Sequence, residues 1–232
     1  MNGRIYLIPV TLGGDDFLKV IPEKVVTLTR ELRYFIVEDI RSARRYLRHI
    51  DKNFPIDESV FFLLNEHTKE SEIAGYLDPV AKGYDIGVMS EAGLPCIADP
   101  GAKIVALAHR KNIIVTPLSG PSSIILALIS SGFNGQNFSF NGYLPVKPAD
   151  RIAKLRELEK KSGDGMTQIF METPYRNQKT FESIIETCHP DTKLCIAADI
   201  TLPSESIITK NISEWKKNLP ALKNMMVMFI LQ

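Results

Sequence analysis

The chain has 232 residues, of which 44% are hydrophobic and 24% are charged, enough for one large α/β domain or two small ones. Its 28 Lys and Arg residues nearly balance its 27 Asp and Glu residues, and the net charge of +1 excludes a protein held to nucleic acid by overall charge alone. Any basic surface must therefore be local. No run approaches the ~20 apolar residues that cross a bilayer, so we expect no membrane association.

Cysteine and histidine usage points to a reducing compartment and argues against a metal centre. The three cysteines are odd in number and lack CxxC spacing, which indicates reduced thiols in a cytoplasmic protein. The four histidines are scattered without the spacing of metal ligands, so we expect no bound metal. The first ten residues have the pattern of a short strand and lack the long apolar core of a signal peptide.

The first half of the chain alternates strand-like and helix-like segments. Strands are predicted over Arg4–Val10, Tyr34–Val37, Val60–Leu64, Tyr84–Met89 and Ile113–Leu118, and helices over Ile21–Arg33, Ile40–Lys52, Glu70–Lys82 and Pro100–Lys111. This βαβα order predicts a mostly parallel sheet with helices on both faces.

The second half begins the pattern again. Strands are predicted over Phe138–Asn141, Met166–Met171, Lys193–Asp199, Ser206–Ile212 and Met225–Leu231, and helices over Pro121–Ser131, Ala149–Lys161 and Pro174–Cys188, with a short helix around Trp215. The predicted fold class is α/β, with two αβα lobes built on mostly parallel or mixed sheets. We place the lobes at residues 1–118 and 119–232.

A loop of small residues, SEAGLPCIADPG at positions 90–101, follows the strand that ends at Met89. Gly93 lets the backbone approach a ligand closely, and Asp99 with Pro100 is a favourable start for a helix. In an open α/β sheet, ligands bind beyond the carboxyl ends of the strands, where this loop would lie. The alternative is a tight strand-to-helix turn without a ligand.

Two adjacent carboxylates, Glu38 and Asp39, follow the second strand and are the candidate catalytic residues. A carboxylate at a strand end can accept a proton or hold a hydroxyl group, although acids also favour a helix N-terminus for purely structural reasons. His67 and Glu172 are lesser candidates for the same role. Glu172 could instead be a buried partner of Arg176.

The helix after Asp39 carries a stripe of arginines at positions i, i+3, i+4 and i+7: Arg41, Arg44, Arg45 and Arg48. No acidic residues occur at matching positions to relieve their mutual repulsion, and a phosphate backbone lying across the stripe would do so. The alternative is an ordinary solvated basic face.

Two further strand ends carry small residues. PVTLGG at 9–14 lacks the GxGxxG spacing of a dinucleotide fold, which disfavours a nicotinamide cofactor. PLSGPSS at 117–123 offers backbone N–H groups and hydroxyls that would suit a carboxylate, a ribose or a phosphate.

Together these motifs resemble the tetrapyrrole methylase family, and within it the branch that methylates small-subunit ribosomal RNA. The resemblance rests on PVTLGG at 9–14, EDIR at 38–41, NEH at 65–67, SEAGLPCIADPG at 90–101, PLSGPSS at 117–123, GYLPVK at 142–147, METPYR at 171–176 and DIT at 199–201. It implies a homodimeric methyltransferase that uses S-adenosylmethionine, bound in the cleft between two lobes. It further implies 2′-O-methylation of a cytidine in the decoding region of small-subunit rRNA, and so an RNA partner.

Position by position, the resemblance implies a donor-binding set of Glu91, Gly93, Leu94, Asp99, Leu118, Ser122, Ser123, Met171 and Thr201. The chain departs from the branch pattern at Glu91 and Leu94, where Asp and Thr are usual, and at Ala198 and Leu202, where Arg and Lys are usual. Two alternatives stay open: a tetrapyrrole precursor as the methyl acceptor, or a donor-binding protein without turnover.

Overall fold

Parallel strands form the centre of the first of two units into which the chain divides, one ending at Ser122 and the other beginning at Ser123. The structure is a computed structural model that describes residues 3–232. The first unit contains the strands β1 (Ile5–Leu7), β2 (Tyr34–Val37), β3 (Val60–Leu63), β4 (Ile86–Met89) and β5 (Val115–Pro117), all parallel and in the order β3-β2-β4-β1-β5. Its α-helices are α1 (Glu23–Glu31), α2 (Ile40–Ile50), α3 (Glu70–Ile73), α4 (Asp78–Ala81) and α5 (Gly101–Arg110).

Alternation along the strands divides the core of the first unit into two layers. Phe35 and Val37 of β2 belong to a buried cluster with side chains of α1 and α2. Ile36, between them, belongs to a second cluster that includes Ile104 of α5. Since successive side chains of a strand point to opposite faces, the sheet has helices on both sides.

The second unit is built on a mixed sheet. It contains β6 (Phe138–Tyr143), β7 (Thr167–Glu172), β8 (Lys193–Ala198), β9 (Ser206–Asn211) and β10 (Val227–Leu231), in the order β6-β7-β10-β8-β9. The β6–β7 pair is parallel and the other pairs are antiparallel. Its α-helices are α6 (Ser123–Ser131), α7 (Pro148–Gly163), α8 (Asn177–Thr187) and α9 (Ile212–Trp215).

The predicted α/β fold class, with one parallel and one mixed sheet, is confirmed. One predicted helix is wrong in its extent: the segment 70–82 consists of α3, a 3₁₀ turn over Ala74–Leu77 and α4. Gly75 has low helix propensity, and Pro79 cannot donate the backbone hydrogen bond of a helix interior, so one continuous helix is not formed. Within residues 3–232, no helix is long and apolar enough to cross a membrane.

The loop after β5 packs directly on the loop after β1 because position 120 is a glycine. A Cβ added to Gly120 would lie 2.1 Å from Cβ and 2.4 Å from Cγ of Pro9. The rigid proline ring cannot move aside like a flexible side chain, so only glycine allows this approach. The contact fixes two of the loops at the carboxyl edge of the sheet.

We therefore expect Gly120→Ala to reduce the free energy of unfolding by about 1–3 kcal/mol, the usual cost of overpacking. Gly75→Ala is the matched control, since its added Cβ would come no closer than 3.8 Å to Oδ2 of Asp78. Urea unfolding followed by circular dichroism measures both variants. Equal stability of the two variants would contradict the packing argument.

Candidate active site

The loop that follows β4, residues 90–100 and here called the central loop, is held in shape by Asp99. The carboxylate oxygens of Asp99 accept hydrogen bonds from the backbone N–H groups of Cys96 and Gly101, each at 2.7 Å. Cys96 and Ala98 have positive φ angles of 71° and 60°, a conformation that side-chain-bearing residues rarely adopt. Asp99 thus stabilises a loop conformation that would otherwise be unfavourable.

The central loop also contacts the loop after β1. The backbone N–H of Val10 donates to the carbonyl oxygen of Gly93 at 2.9 Å. Gly93 has a φ of 71°, and an added Cβ would lie 3.1 Å from Cδ2 of Leu12 and 3.3 Å from the carbonyl oxygen of Pro121. Gly93 therefore allows three loops of the first unit to pack closely, while its predicted approach to a ligand stays a prediction.

Three carboxylates meet where β2 and β4 end. The backbone N–H of Glu91 donates to Oε2 of Glu38 at 3.4 Å, and Oε1 of Glu91 accepts from the hydroxyl of Ser42 at 3.3 Å. Burial raises the pKa of Glu38 above its ordinary value; the Glu91 N–H opposes this, and the charges of Asp99 and Glu91 add to the rise. Burial likewise raises the pKa of Asp99, although the backbone N–H groups around it act against the shift.

Asp39, next to Glu38 in sequence, has the opposite environment. It is the N-cap of α2, and its Oδ1 accepts a hydrogen bond from the backbone N–H of Ser42 at 2.7 Å. That bond, together with the Ser42 hydroxyl, lowers the pKa of Asp39 below its ordinary value. Two adjacent candidates are therefore separated chemically: Asp39 is a weakly basic cap, and Glu38 is a more basic carboxylate.

The arginines of the stripe have different surroundings. Nη2 of Arg44 lies 3.4 Å from Oδ1 of Asp57, and its guanidinium lies 6.0 Å from the centre of the Phe61 ring. Nη1 of Arg48 donates to the carbonyl oxygen of Lys52 at 2.6 Å. Arg41 and Arg45 are also exposed, and Arg45 lines a cleft of about 390 Å³.

Two clefts lie in the first unit beside these carboxylates. The cleft of about 390 Å³, here called the α2 cleft, is lined by Val10, Thr11, Leu12, Gly13, Gly14, Asp15, Ser42, Ala43, Arg45, Tyr46, His49, Met89, Ser90, Glu91 and Ala92. A second one, of about 600 Å³, is lined by Glu38, Asn65, Glu66, His67, Ala98, Asp99, Pro100 and Lys103. Glu38 and Glu91 thus face neighbouring clefts.

The sequence prediction singled out neither Ser42 nor His49. Ser42, Arg45 and His49 follow one another at i, i+3 and i+7 of α2, the spacing of one helix face. That periodicity is present in the sequence, but the predicted basic stripe grouped Arg45 with Arg44 and the other arginines instead. Cys96 lies nearby, and burial raises the pKa of its thiol to about 12, which disfavours the reactive thiolate form.

The other predicted donor-binding residues lie as follows. Leu94 is half-buried in the central loop, Leu118 packs on the cluster of α1 and α2, and Ser122 is buried at the end of the first unit. In the second unit, Ser123 begins α6, Met171 lies on β7 paired with Met228, and Thr201 follows β8. Thr201 has a φ of 73°, and its hydroxyl is buried with no hydrogen-bond partner in residues 3–232.

Glu172 belongs to the second unit's structure rather than to the carboxylates described above. Its side chain is 0% exposed and forms an ion pair with Nη2 of Arg176. Oε1 accepts from the backbone N–H of Thr173 at 2.7 Å, and Oε2 accepts from the hydroxyl of Thr180 at 3.2 Å. Of the two roles left open by the sequence, the geometry matches the buried partner of Arg176.

Comparison with known proteins agrees with this architecture. The model of the family described as Tetrapyrrole (Corrin/Porphyrin) Methylases matches residues 17–216. The curated "Ribosomal RNA small subunit methyltransferase I" of Vibrio cholerae is 30% identical over 203 residues, which cover 88% of this chain and 67% of that protein. The protein of the same name from Streptococcus pyogenes is 30% identical over 213 residues, 92% of this chain and 70% of its own length.

A solved structure has the same fold. The crystal structure of the methyltransferase CobJ superposes with a TM-score of 0.64 and covers 99% of this chain and 93% of that chain. Its sequence identity is only 15%, so the likeness concerns the fold alone.

The Glu172 network yields a stability prediction. Arg176→Ala would leave a buried carboxylate without its counter-charge, so we expect a loss of about 3–5 kcal/mol in the free energy of unfolding. Lys161→Ala is the control, because it breaks an exposed helical ion pair with Glu157 and should leave stability nearly unchanged. Guanidinium unfolding of both variants measures the difference, and an Arg176→Ala variant as stable as the control would refute it.

Proposed function

The chain belongs to the tetrapyrrole (corrin/porphyrin) methylase family and is a methyltransferase, and we propose that it methylates the 2′-hydroxyl of a ribose in small-subunit rRNA with S-adenosylmethionine as donor. The names of the curated relatives, similar over most of this chain, support the RNA acceptor. The observation that carries the chemistry is Glu38, a partly buried carboxylate at the end of β2 with a raised pKa. A ribose hydroxyl needs such a group to take its proton.

The residues of the central loop fit a donor that carries hydroxyl and ammonium groups. Glu91 is exposed and can accept hydrogen bonds from such groups, whereas both oxygens of Asp99 are already engaged by backbone N–H groups. We therefore propose Glu91 as a donor ligand and Asp99 as the residue that shapes the loop. In the second unit, the unpartnered hydroxyl of Thr201 fits a residue whose hydrogen bond comes from a ligand.

S-adenosylmethionine supplies an electrophilic methyl group on a positively charged sulfur, which becomes neutral when the methyl leaves. The chain's own contribution is alignment and proton removal. Holding the hydroxyl in line with the methyl group can be worth ~7–11 kcal/mol of the barrier. We propose that Glu38 accepts the hydroxyl proton on its carboxylate, and that Asp39 supports it by fixing the start of α2. His67, a lesser candidate, has a side chain that is 84% exposed.

The test is methyl transfer by the full chain. The protein is incubated with S-adenosylmethionine labelled in the methyl group and with small-subunit particles or their extracted RNA. We expect label in a nucleoside whose 2′-O-methyl group protects the adjoining phosphodiester from alkali. Label in a tetrapyrrole precursor with none in RNA would support the alternative acceptor, and donor binding without any transfer would indicate a protein without turnover.

Family resemblance also supports a homodimer in the cytoplasm, which we include in the proposal. Sedimentation of the purified chain measures the first part. A sedimentation coefficient of a monomer at micromolar concentration would contradict it.

Removing the proton acceptor should abolish most of the activity. We expect Glu38→Gln to lower kcat by about 10²–10⁴-fold, the usual contribution of a general base. A base works only when deprotonated, so wild-type kcat should fall as the pH drops through the pKa of Glu38, at a pH above the ordinary value of 4.5. Binding of S-adenosylhomocysteine, measured by calorimetry, should persist in Glu38→Gln. Wild-type kcat in this variant would exclude Glu38 as the base.

A further inference from the structure

We propose that the α2 cleft binds a phosphodiester group of the acceptor RNA through Arg45, His49 and the backbone N–H groups of Gly13 and Gly14. This inference rests on the proposed function, because it names the part of the substrate that the first unit holds. It concerns residues that differ from the carboxylates and from the central loop's donor ligands.

The loop after β1, which lines part of the cleft, has an unusual backbone conformation. Gly13 and Gly14 have positive φ angles of 136° and 77°. In residues 3–232, none of the backbone N–H groups of positions 11–15 has a hydrogen-bond acceptor in the chain. Successive backbone N–H groups without an acceptor can form a concave site for anions, and residues 11–15 are part of the lining of an open cleft.

Helix α2 adds a basic side chain to the lining of the same cleft. Arg45 is exposed and has no carboxylate within ion-pair distance in the described part of the chain, unlike Arg44 with Asp57. His49 follows it by one turn of α2, and its ring contacts the Phe17 ring edge-on at 5.2 Å between centres. The planar guanidinium group is suited to two parallel hydrogen bonds with a phosphate.

The charge on the lining of the cleft differs between its two ends. The cleft also contains Glu91, whose Oε1 is bonded to the Ser42 hydroxyl at 3.3 Å. A carboxylate repels a phosphate but accepts hydrogen bonds from a sugar hydroxyl. Ser42 and His49 are about 10 Å apart along the helix axis, at 1.5 Å per residue. The Ser42 end therefore suits the hydroxyl groups of the donor, in agreement with Glu91 as a donor ligand, and the Arg45 end suits a phosphate.

The size of the cleft is consistent with this ligand. Its volume of about 390 Å³ lies within the ~300–1,000 Å³ of ligand clefts. Asp15 is the other carboxylate on its lining, and it lies beside Gly14 in the loop. A tetrapyrrole precursor carries several carboxylates, which Glu91 and Asp15 would repel, so it matches this cleft less well.

The experiment measures RNA binding separately from methyl transfer. A fluorescein-labelled oligoribonucleotide of the small-subunit decoding region is titrated with the full chain in the presence of S-adenosylhomocysteine, at several salt concentrations. We expect Arg45→Ala to weaken binding by about 10-fold or more, as loss of a charged hydrogen bond does. The slope of log K against log salt should fall by about 0.7, the value for one contact with a single strand.

Arg110→Ala is the matched control. Arg110 is exposed at the last residue of α5, the end of that helix farther from the central loop, and its replacement removes the same charge. We expect this variant to keep the wild-type affinity and salt slope. Gly14→Ala serves as a second variant, since it strains the loop without changing any charge and should weaken binding with little change in slope.

The outcomes separate the two proposals. Arg45→Ala and Arg110→Ala with the same affinity and slope would overturn the phosphate site, even if the wild type methylates RNA. A wild type that binds RNA with the expected Arg45 dependence but transfers no methyl group to it would overturn the proposed reaction and leave the phosphate site supported.

Discussion

The crowding of negative charge beside the central loop is the constraint on which the site of the first unit depends. Asp99 holds the loop through two backbone N–H groups at 2.7 Å, so its carboxylate cannot be removed without releasing Cys96 and Ala98 from strained conformations. The same charge contributes to the raised pKa of Glu38. One side chain thus gives the loop its shape and makes its neighbour more basic. Carboxylates gathered in this way repel one another and destabilise a fold, so their presence indicates a functional site.

The contrast between Glu38 and Asp39 illustrates how environment assigns roles to identical chemical groups. Both follow β2, and the sequence offers no means of ranking them. The carboxylate of Asp39 reaches the N–H groups at the start of α2, which stabilise its charged form and lower its pKa. The carboxylate of Glu38 occupies a partly buried position, where ionisation is less favourable. Proton acceptance therefore suits Glu38, and structural capping suits Asp39.

The fold could be predicted from the sequence because strand alternation and helix periodicity are local properties. The strand over Tyr34–Val37 has the bounds that were predicted, and α2 ends two residues before its predicted end. The prediction of one helix over 70–82 was wrong because Gly75 and Pro79 interrupt the helix. Relations between distant residues could not be read in this way. The contact of Gly120 with Pro9 depends on the order of strands in the sheet, which periodicity does not determine.

The arginines of α2 share one sequence pattern but have different surroundings in the fold. Adjacent helical residues point about 100° apart, so Arg44 and Arg45 must face different surroundings even though both belong to one basic stripe. Arg44 meets Asp57 and the ring of Phe61, which use its charge within the fold. Arg45 lines the same cleft as Gly13 and Gly14, whose backbone N–H groups have no acceptor within residues 3–232. A phosphate of the substrate would supply the ionic partner that Arg45 lacks among residues 3–232.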